Sequence, residues 1–472
     1  METTRKLDVF ENTPIPNAVM QLSMPMVVSS LVMVLYSLTD TYFVGMLNNP
    51  VQNAAVTLAA PVLLAFIAVN NLFGVGSSSM MSRAMGAKNY DVVYHSSAFG
   101  FYCSLFSGIL FSLVCIVVQN PLLNLLGVDD ITRQATLEYM TWTVFCGATP
   151  AILNVVMAYL VRAEGASLHA SIGTMTGCIL NMILDPFFIL PQFLDMGAAG
   201  AGLATFLSNC VACIYFFVLL YAKRKSTFVC LNPRMLSFER SLVLNICGVG
   251  VPAAIQNLLN VTSMTILNNF TAGYGADAIA AMGIAQKINM VPVQVCLGFS
   301  QGVMPLISYN YTSGNRKRMK DCIFFTIKLI FPVLILATAL FCVFSSGLVA
   351  LFMDNKEIIT HGTHFLRGFS LSIPFLCLDF LAVGVFQALG RGRSALVFAI
   401  LRKIILQVPA LFILDYLFPL YGLVYSQFVA ELVLGICGFV MILHICNEKP
   451  GQGRSSKGLL SANRMQKEKR ME

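Results

Sequence analysis

The stretch 223–241, KRKSTFVCLNPRMLSFERS, is a long basic connection near the middle of a 472-residue chain that is 57% hydrophobic and only 11% charged. Soluble domains carry roughly 25% charged residues. Apolar stretches long enough to cross about 30 Å of hydrocarbon lie on both sides of this connection, six before it and six after it. The sequence therefore predicts an all-α integral membrane protein with twelve transmembrane helices.

The two groups of six apolar stretches share a layout that repeats after about 225 residues. Pro25 corresponds to Pro252, and Gly74 corresponds to Gly298. Because six is even, both copies enter the membrane in the same direction, as parallel transporter repeats do around a midplane cavity. We predict two pseudo-symmetric six-helix lobes with a linker and a tail, at 1–222 (first lobe), 223–241 (cytoplasmic linker), 242–446 (second lobe) and 447–472 (cytoplasmic tail).

The basic residues are distributed unevenly among the connections between the apolar stretches. Every second connection and the tail hold nearly all of them, whereas the opposite loops hold only Arg133 and Lys356 beside mainly acidic residues. This pattern predicts a multi-pass protein of the inner or plasma membrane with both termini cytoplasmic. It argues against a nucleic-acid partner despite the net charge of +8. The first 19 residues lack an apolar core, so we expect no cleavable signal peptide.

Five polar residues interrupt the apolar stretches: Asp40, Asn181, Asp185, Asp379 and Glu431. A charge near the bilayer centre costs about 2.5–3.5 kcal/mol, so such residues are candidates for an ion or substrate path. Asn181 and Asp185 are four residues apart and share a helix face. The first and fifth spans run in the same direction, which places Asp40 and Asp185 at similar depth. They could hold a proton, a sodium ion or an organic cation, or could only make hydrogen bonds between packed helices.

Functional and structural roles both stay open for Asp379 and Glu431. Arg402 could pair with Asp379, which would make both residues structural. The 14 cysteines and five histidines show no metal-ligand spacing, and no nucleophile elbow or phosphate loop is present. We therefore expect no catalytic residues, no metal and no cofactor, and a membrane-embedded enzyme or receptor is the least favoured hypothesis.

Over about residues 14–446 the chain resembles the multidrug and toxic compound extrusion (MATE) family of secondary transporters, in its MepA-like and DinF-like bacterial branch. The resemblance depends on the order and spacing of several short motifs. These are Met24-Pro25, Asp40-Thr-Tyr-Phe-Val-Gly45, Asn71-Leu-Phe-Gly-Val-Gly76, Ser82-Arg83, Gly86-Ala-Lys-Asn89, Arg162-Ala-Glu-Gly165, Asn181 to Pro186 and Gly390-Arg-Gly-Arg393.

The resemblance implies cation-coupled export and a cation site in the first lobe. The matching positions are Tyr36, Asp40, Tyr139, Asn154, Asn181, Asp185 and Thr205. Some members use an acidic pair in the second lobe instead. Asp379 matches one member of that pair, but the seventh span has no matching Glu, and Gln256 and Asn260 are the nearest polar residues. This difference favours the first lobe as the coupling site.

Two transport hypotheses follow. The first is an H⁺- or Na⁺-coupled multidrug antiporter that exports lipophilic, mostly cationic compounds and so contributes to antibiotic resistance. The second is a flippase for a lipid-linked anionic headgroup, which would need basic side chains in its cavity; Lys287 and Arg402 are the candidates. The expected partners are small-molecule drugs and the bilayer. We expect a monomer, because one chain would complete the cavity.

Overall fold

The computed structural model describes residues 2–47, 49–353 and 355–447, so nearly all of the predicted tail, 447–472, lies outside the described residues. All regular secondary structure in this part of the chain is helical. The α-helices of the first half are α1 (Glu2–Glu11), α2 (Ile15–Met46), α3 (Pro50–Asn70), α4 (Gly76–Gly86), α5 (Tyr90–Val117), α6 (Gln119–Leu125), α7 (Arg133–Met140), α8 (Ala148–Ala163), α9 (Ser167–Ile189) and α10 (Gly197–Ala222). Those of the second half are α11 (Arg240–Ala272), α12 (Ala276–Thr312), α13 (Arg316–Ala350), α14 (Lys356–Ala388), α15 (Gly392–Ile400), α16 (Val408–Leu417) and α17 (Gly422–Asn447).

Three π-helical turns lie between consecutive helices of the described chain. Two of them join α3 to α4 and α15 to α16 directly, and the other follows α7 and is separated from α8 by a short break. In chain order, the three turns are Asn71–Val75, Thr141–Phe145 and Leu401–Gln407. With the first and third turns included, α3 to α4 and α15 to α16 each form one continuous span. A π-helical turn inserts an extra residue into a helix, and such turns occur frequently at functional sites.

The number of spans agrees with the predicted twelve. Within the described residues, eleven helical segments are long and apolar enough to cross a membrane, and one bent pair, Arg133–Phe145 with Ala148–Ala163, completes the twelfth. This pair is bent by 41°. The bend occurs where the π-helical turn meets Gly147, at which an added Cβ would lie 2.4 Å from the Trp142 carbonyl oxygen. The predicted class, an all-helical integral membrane protein, is confirmed.

The chain divides into two compact units. Within the described residues, the first unit comprises 2–12 and 28–254, and the second unit comprises 13–27 and 255–447. The beginning of α2 thus belongs to the second unit and the beginning of α11 to the first. The predicted boundaries, 1–222 and 242–446, instead assign all of α2 to the first lobe and nearly all of α11 to the second lobe. These lobe boundaries stay a prediction.

Glycines allow close backbone contact inside each unit. In the first unit, a Cβ added to Gly250 of α11 would lie 1.9 Å from the carbonyl oxygen of Leu72. In the second unit, a Cβ added to Gly302 of α12 would lie 2.5 Å from the Cα atom of Ser23. The beginning of α2 therefore packs against α12 much as the beginning of α11 packs against the segment around Leu72, which reflects the sequence repeat.

We expect Gly250→Ala to destabilise the protein strongly. The added methyl group would meet backbone atoms, which cannot rotate away, and overpacking of this kind costs about 1–3 kcal/mol or more. Gly248→Ala is the matched control on the same helix, because an added Cβ there has no atom within 4 Å. The measurement is the midpoint of thermal unfolding of the detergent-solubilised protein. Equal midpoints for the two variants would contradict the close packing of α11.

The segment between α10 and α11 is bound to the first unit by hydrogen bonds. The Glu164 carboxylate accepts from the backbone N–H of Phe228 at 2.6 Å and from the hydroxyl of Thr227 at 2.9 Å. The Ser97 hydroxyl accepts from the backbone N–H of Cys230 at 2.8 Å. The segment predicted to be a linker, 223–241, is therefore ordered against one unit.

Candidate functional site

Four helices of the first unit bring polar side chains together. Tyr36 and Asp40 lie one turn apart on α2, and Asp40 is half-buried. Tyr36 lies within electrostatic reach of Asp40, Asp185 and Tyr139, and its hydroxyl is next to the Thr205 side chain. Tyr139 is likewise within reach of both carboxylates. Helices α2, α7, α9 and α10 therefore contribute to one polar cluster.

The Asn181 amide connects Asp185 to Thr205. In the orientation that satisfies both ends of the amide, its nitrogen donates to the two Asp185 carboxylate oxygens at 2.8 and 3.2 Å. Its oxygen accepts from the Thr205 backbone N–H at 3.1 Å and from the Thr205 hydroxyl at 3.2 Å. Asp185 is 0% exposed. A buried carboxylate needs such donors, and the i,i+4 spacing on α9 supplies one.

The two carboxylates of this cluster lack a basic partner. Asp40 is within electrostatic reach of Asp185. In the described ranges 2–47, 49–353 and 355–447, neither forms an ion pair with a lysine, arginine or histidine, whereas buried carboxylates are usually paired. Two neighbouring acids without a basic partner can bind a cation.

Asn154 is placed differently from the other predicted residues. Its amide donates to the side chain of Asn209 at 2.9 Å and to the backbone carbonyl of Pro150 at 2.8 Å. Asn209 lies one turn after Thr205 on α10, so the two residues share a helix face. Asn154 therefore extends the cluster through Asn209. Sequence reasoning missed Asn209, although its spacing from Thr205 was a signal.

The second unit holds a different arrangement. Arg402, in the π-helical turn Leu401–Gln407, is 2% exposed, and its Nη1 forms an ion pair with the Asp379 carboxylate. Its Nη2 donates to the Asn260 side-chain oxygen at 2.9 Å. The pairing of Arg402 with Asp379 is one of the alternatives that the sequence left open. Gln256 lies one turn before Asn260 on α11 and is half-buried. An internal guanidinium thus occupies the space beside Asp379 where a bound cation would otherwise lie.

The chain is helical, spans a membrane and has a repeated layout. Among the described residues, Asp185 is buried beside Asp40 and neither acid is paired with a basic residue. These are features of a secondary transporter. The chain belongs to the MatE family, whose family model matches residues 25–187 and 252–413. The expected family is thus confirmed.

Curated relatives include "Multidrug export protein MepA" from two staphylococci. The Staphylococcus saprophyticus protein is 32% identical over 439 residues, covering 93% of this chain and 95% of the relative. A Staphylococcus aureus protein is 33% identical over 442 residues, with the same coverage.

Solved structures with the same fold include two described as transporters. One is the "outward-facing conformation of a multidrug resistance MATE family transporter of the MOP superfamily", with a TM-score of 0.87, 26% identity and coverage of 94% of this chain and 98% of that chain. Another is a MOP superfamily transporter from Pyrococcus furiosus, with a TM-score of 0.86, 25% identity and the same coverage. The description of the second states that its binding pocket has reversed polarity and suggests a different function.

Six of the seven predicted first-lobe residues thus come together, and Asn154 joins them only through Asn209, while Asp379 and Asn260 of the second-lobe prediction both contact Arg402. The coupling role assigned to each residue stays a prediction.

Proposed function

We propose that this protein is an H⁺- or Na⁺-coupled multidrug efflux antiporter that exports lipophilic, mostly cationic compounds by alternating access. The observation that carries the proposal is Asp40 beside the buried Asp185, with no basic residue paired to either in the part of the chain that the structure describes. The names of the curated relatives support export of several drugs.

In the proposed cycle, the coupling cation enters from outside and binds Asp40 and Asp185, with Asn181 holding the Asp185 carboxylate in place. Cation binding releases the drug outward, and the loaded protein then reopens inward. A ligand shifts such an equilibrium only by its difference in affinity for the two states. In the proposed cycle, Asp40 and Asp185 supply this difference in cation affinity, because solvent reaches the two carboxylates from different sides in the two states. The cycle requires no covalent chemistry and no resident cofactor.

The flippase is the weaker alternative. A lipid-linked diphosphate needs basic groups facing the substrate. The charge of Arg402 is neutralised by Asp379 in the second unit, and Lys287 is exposed on α12. The polar cluster of the first unit is acidic and neutral. The neutralised charge of Arg402 and the acidic and neutral character of the cluster both favour a cationic substrate.

We propose further that the protein resides in the inner or plasma membrane with both termini cytoplasmic, and that it acts as a monomer. The asymmetric distribution of basic residues supports the orientation.

The function is tested with purified protein in liposomes that contain a fluorescent lipophilic cation. We expect dye transport to accelerate when H⁺ or Na⁺ is concentrated on the opposite side, and to slow when an ionophore for that ion removes the gradient. Transport of the dye at the same rate with and without either gradient would overturn cation coupling. Scrambling of a fluorescent lipid diphosphate with no dye transport would support the flippase.

A further inference from the structure

Glu431 of α17 is a buried carboxylate that the proposed transport cycle does not use. It is 1% exposed and belongs to the second unit. Its Oε1 lies 3.9 Å from Nη1 of Arg402, which is beyond hydrogen-bonding distance. Its Oε2 has no hydrogen-bond partner among the described residues. Glu431 is therefore buried, and its nearest positive group, the Arg402 guanidinium, lies within ion-pair range but makes no hydrogen bond to it.

The nearby guanidinium is already committed to other groups. Nη1 of Arg402 is bound to Asp379 and Nη2 donates to Asn260. Within the described chain, Oδ1 of Asp379 and Nε of Arg402 also lack partners. The cluster thus holds two carboxylates and one closely bound guanidinium. Among the described residues it leaves two acceptors unused, Oδ1 of Asp379 and Oε2 of Glu431, and one donor, Nε of Arg402. Buried polar groups are normally satisfied, so an unsatisfied set of this kind needs an explanation.

We propose that Glu431 is a proton-binding site of the second unit, separate from Asp40 and Asp185, and that Arg402 moves between Asp379 and Glu431 as the proton binds and leaves. In this proposal, the arrangement that the structure has, with Arg402 bound to Asp379, is the one in which Glu431 holds the proton. When the proton leaves to water, the carboxylate attracts the guanidinium. A displacement of about 1 Å brings Nη1 into the range of a charge-assisted hydrogen bond, about 2.7–2.9 Å.

The position of Arg402 suits this exchange. It lies in the π-helical turn Leu401–Gln407, between α15 and α16. Such turns replace the regular i→i−4 hydrogen bonds of an α-helix with i→i−5 bonds, and they occur frequently at functional sites. The guanidinium also has an unused donor, Nε, to offer the ionised carboxylate.

Other charged and titratable groups face Glu431 from the neighbouring elements. Lys403 lies next to Arg402 and adds a positive charge, but its ammonium group donates to the side-chain oxygen of Gln407 at 2.8 Å. Asp379 of α14 is a like charge within electrostatic reach. Cys296 of α12 is a buried thiol within reach of Glu431 and next to Cys377. Arg402 and Lys403 are positive and Asp379 is negative, so charges of both signs lie near Glu431.

The inference is independent of the proposed transport cycle, because proton binding is measured in protein that is not transporting. The experiment is infrared difference spectroscopy of the reconstituted protein across pH steps, in a background with Asp40→Asn and Asp185→Asn. We expect a carbonyl stretching band from a protonated carboxylic acid that decreases as the pH rises. Glu431→Gln should remove this band. Glu357→Gln is the matched control, since Glu357 is exposed at the start of α14, and it should leave the band unchanged.

Further variants keep the test decisive. Glu431→Asp retains a carboxyl group one methylene shorter, and we expect it to restore the band with a shifted midpoint. If Glu431→Gln does not fold, as judged by size-exclusion chromatography, the shift in Glu431→Asp alone decides the assignment. A band that is unchanged in both variants, or no titrating band in the background protein, would overturn the proposal.

Discussion

Asp40→Asn should abolish cation-driven efflux of a lipophilic dye from liposomes. The amide keeps the size of the side chain but removes its charge and its ability to bind a cation. Contacts to charged groups are worth about 1.5–3 kcal/mol. The loss of about 3 kcal/mol of cation binding corresponds to roughly 100-fold weaker affinity, since each 1.4 kcal/mol is tenfold. At the cation concentrations of a vesicle experiment, this loss would uncouple transport from the gradient.

The matched control for this prediction is Asp91→Asn. Asp91 is exposed in the first turn of α5 in the same unit, and the chemical change is identical. We expect efflux close to that of the unsubstituted protein, apart from a small effect of the lost helix-end charge. Both variants should elute from size-exclusion chromatography as folded protein. Full efflux by folded Asp40→Asn would remove Asp40 from the coupling mechanism, whatever the role of Asp185.

Sequence patterns were sufficient to predict much of this architecture. The length of the apolar stretches gave the twelve spans, because the thickness of the bilayer sets the length of a membrane helix. The motifs repeat after about 225 residues with six spans between the copies, which predicts parallel halves, and this arrangement stays a prediction. The depth of Asp40 and Asp185 followed from the direction of the first and fifth spans, and the structure does place these residues within electrostatic reach of each other.

Other features depend on packing that a sequence pattern does not encode. Apolar residues are spread around α2 and do not form one stripe, so periodicity gives no indication of which helices it contacts. Its packing in the second unit depends instead on Gly302 of α12, which has no side chain and so lets the α2 backbone at Ser23 come close. The π-helical turn at Arg402 has no sequence signature either. The Arg402–Asp379 pair was expected only as one alternative, because a single sequence does not show which of several buried charges meet.

Arg402→Gln should destabilise the second unit severely. The substitution leaves Asp379 buried at 1% exposure without its counter-charge and removes the donor to Asn260. Removal of one partner from a buried ion pair costs about 3–5 kcal/mol, because an uncompensated charge remains inside the protein. Lysine is not an adequate replacement, since its ammonium cannot reproduce the fork that contacts Asp379 and Asn260 together. The measurement is the fraction of monodisperse protein that remains after heating in detergent.

The double variant Arg402→Gln/Asp379→Asn separates charge burial from packing. It removes both charges while nearly preserving side-chain volume, so we expect it to recover part of the lost stability, as neutral replacements of buried pairs often do. Arg367→Gln is the control, because Arg367 is exposed and donates to the Cys342 carbonyl and the Ser345 hydroxyl rather than to a carboxylate. We expect that loss to be about 1 kcal/mol. If Arg402→Gln were no less stable than Arg367→Gln, the ion pair could not be what compensates the charge of Asp379 inside the membrane.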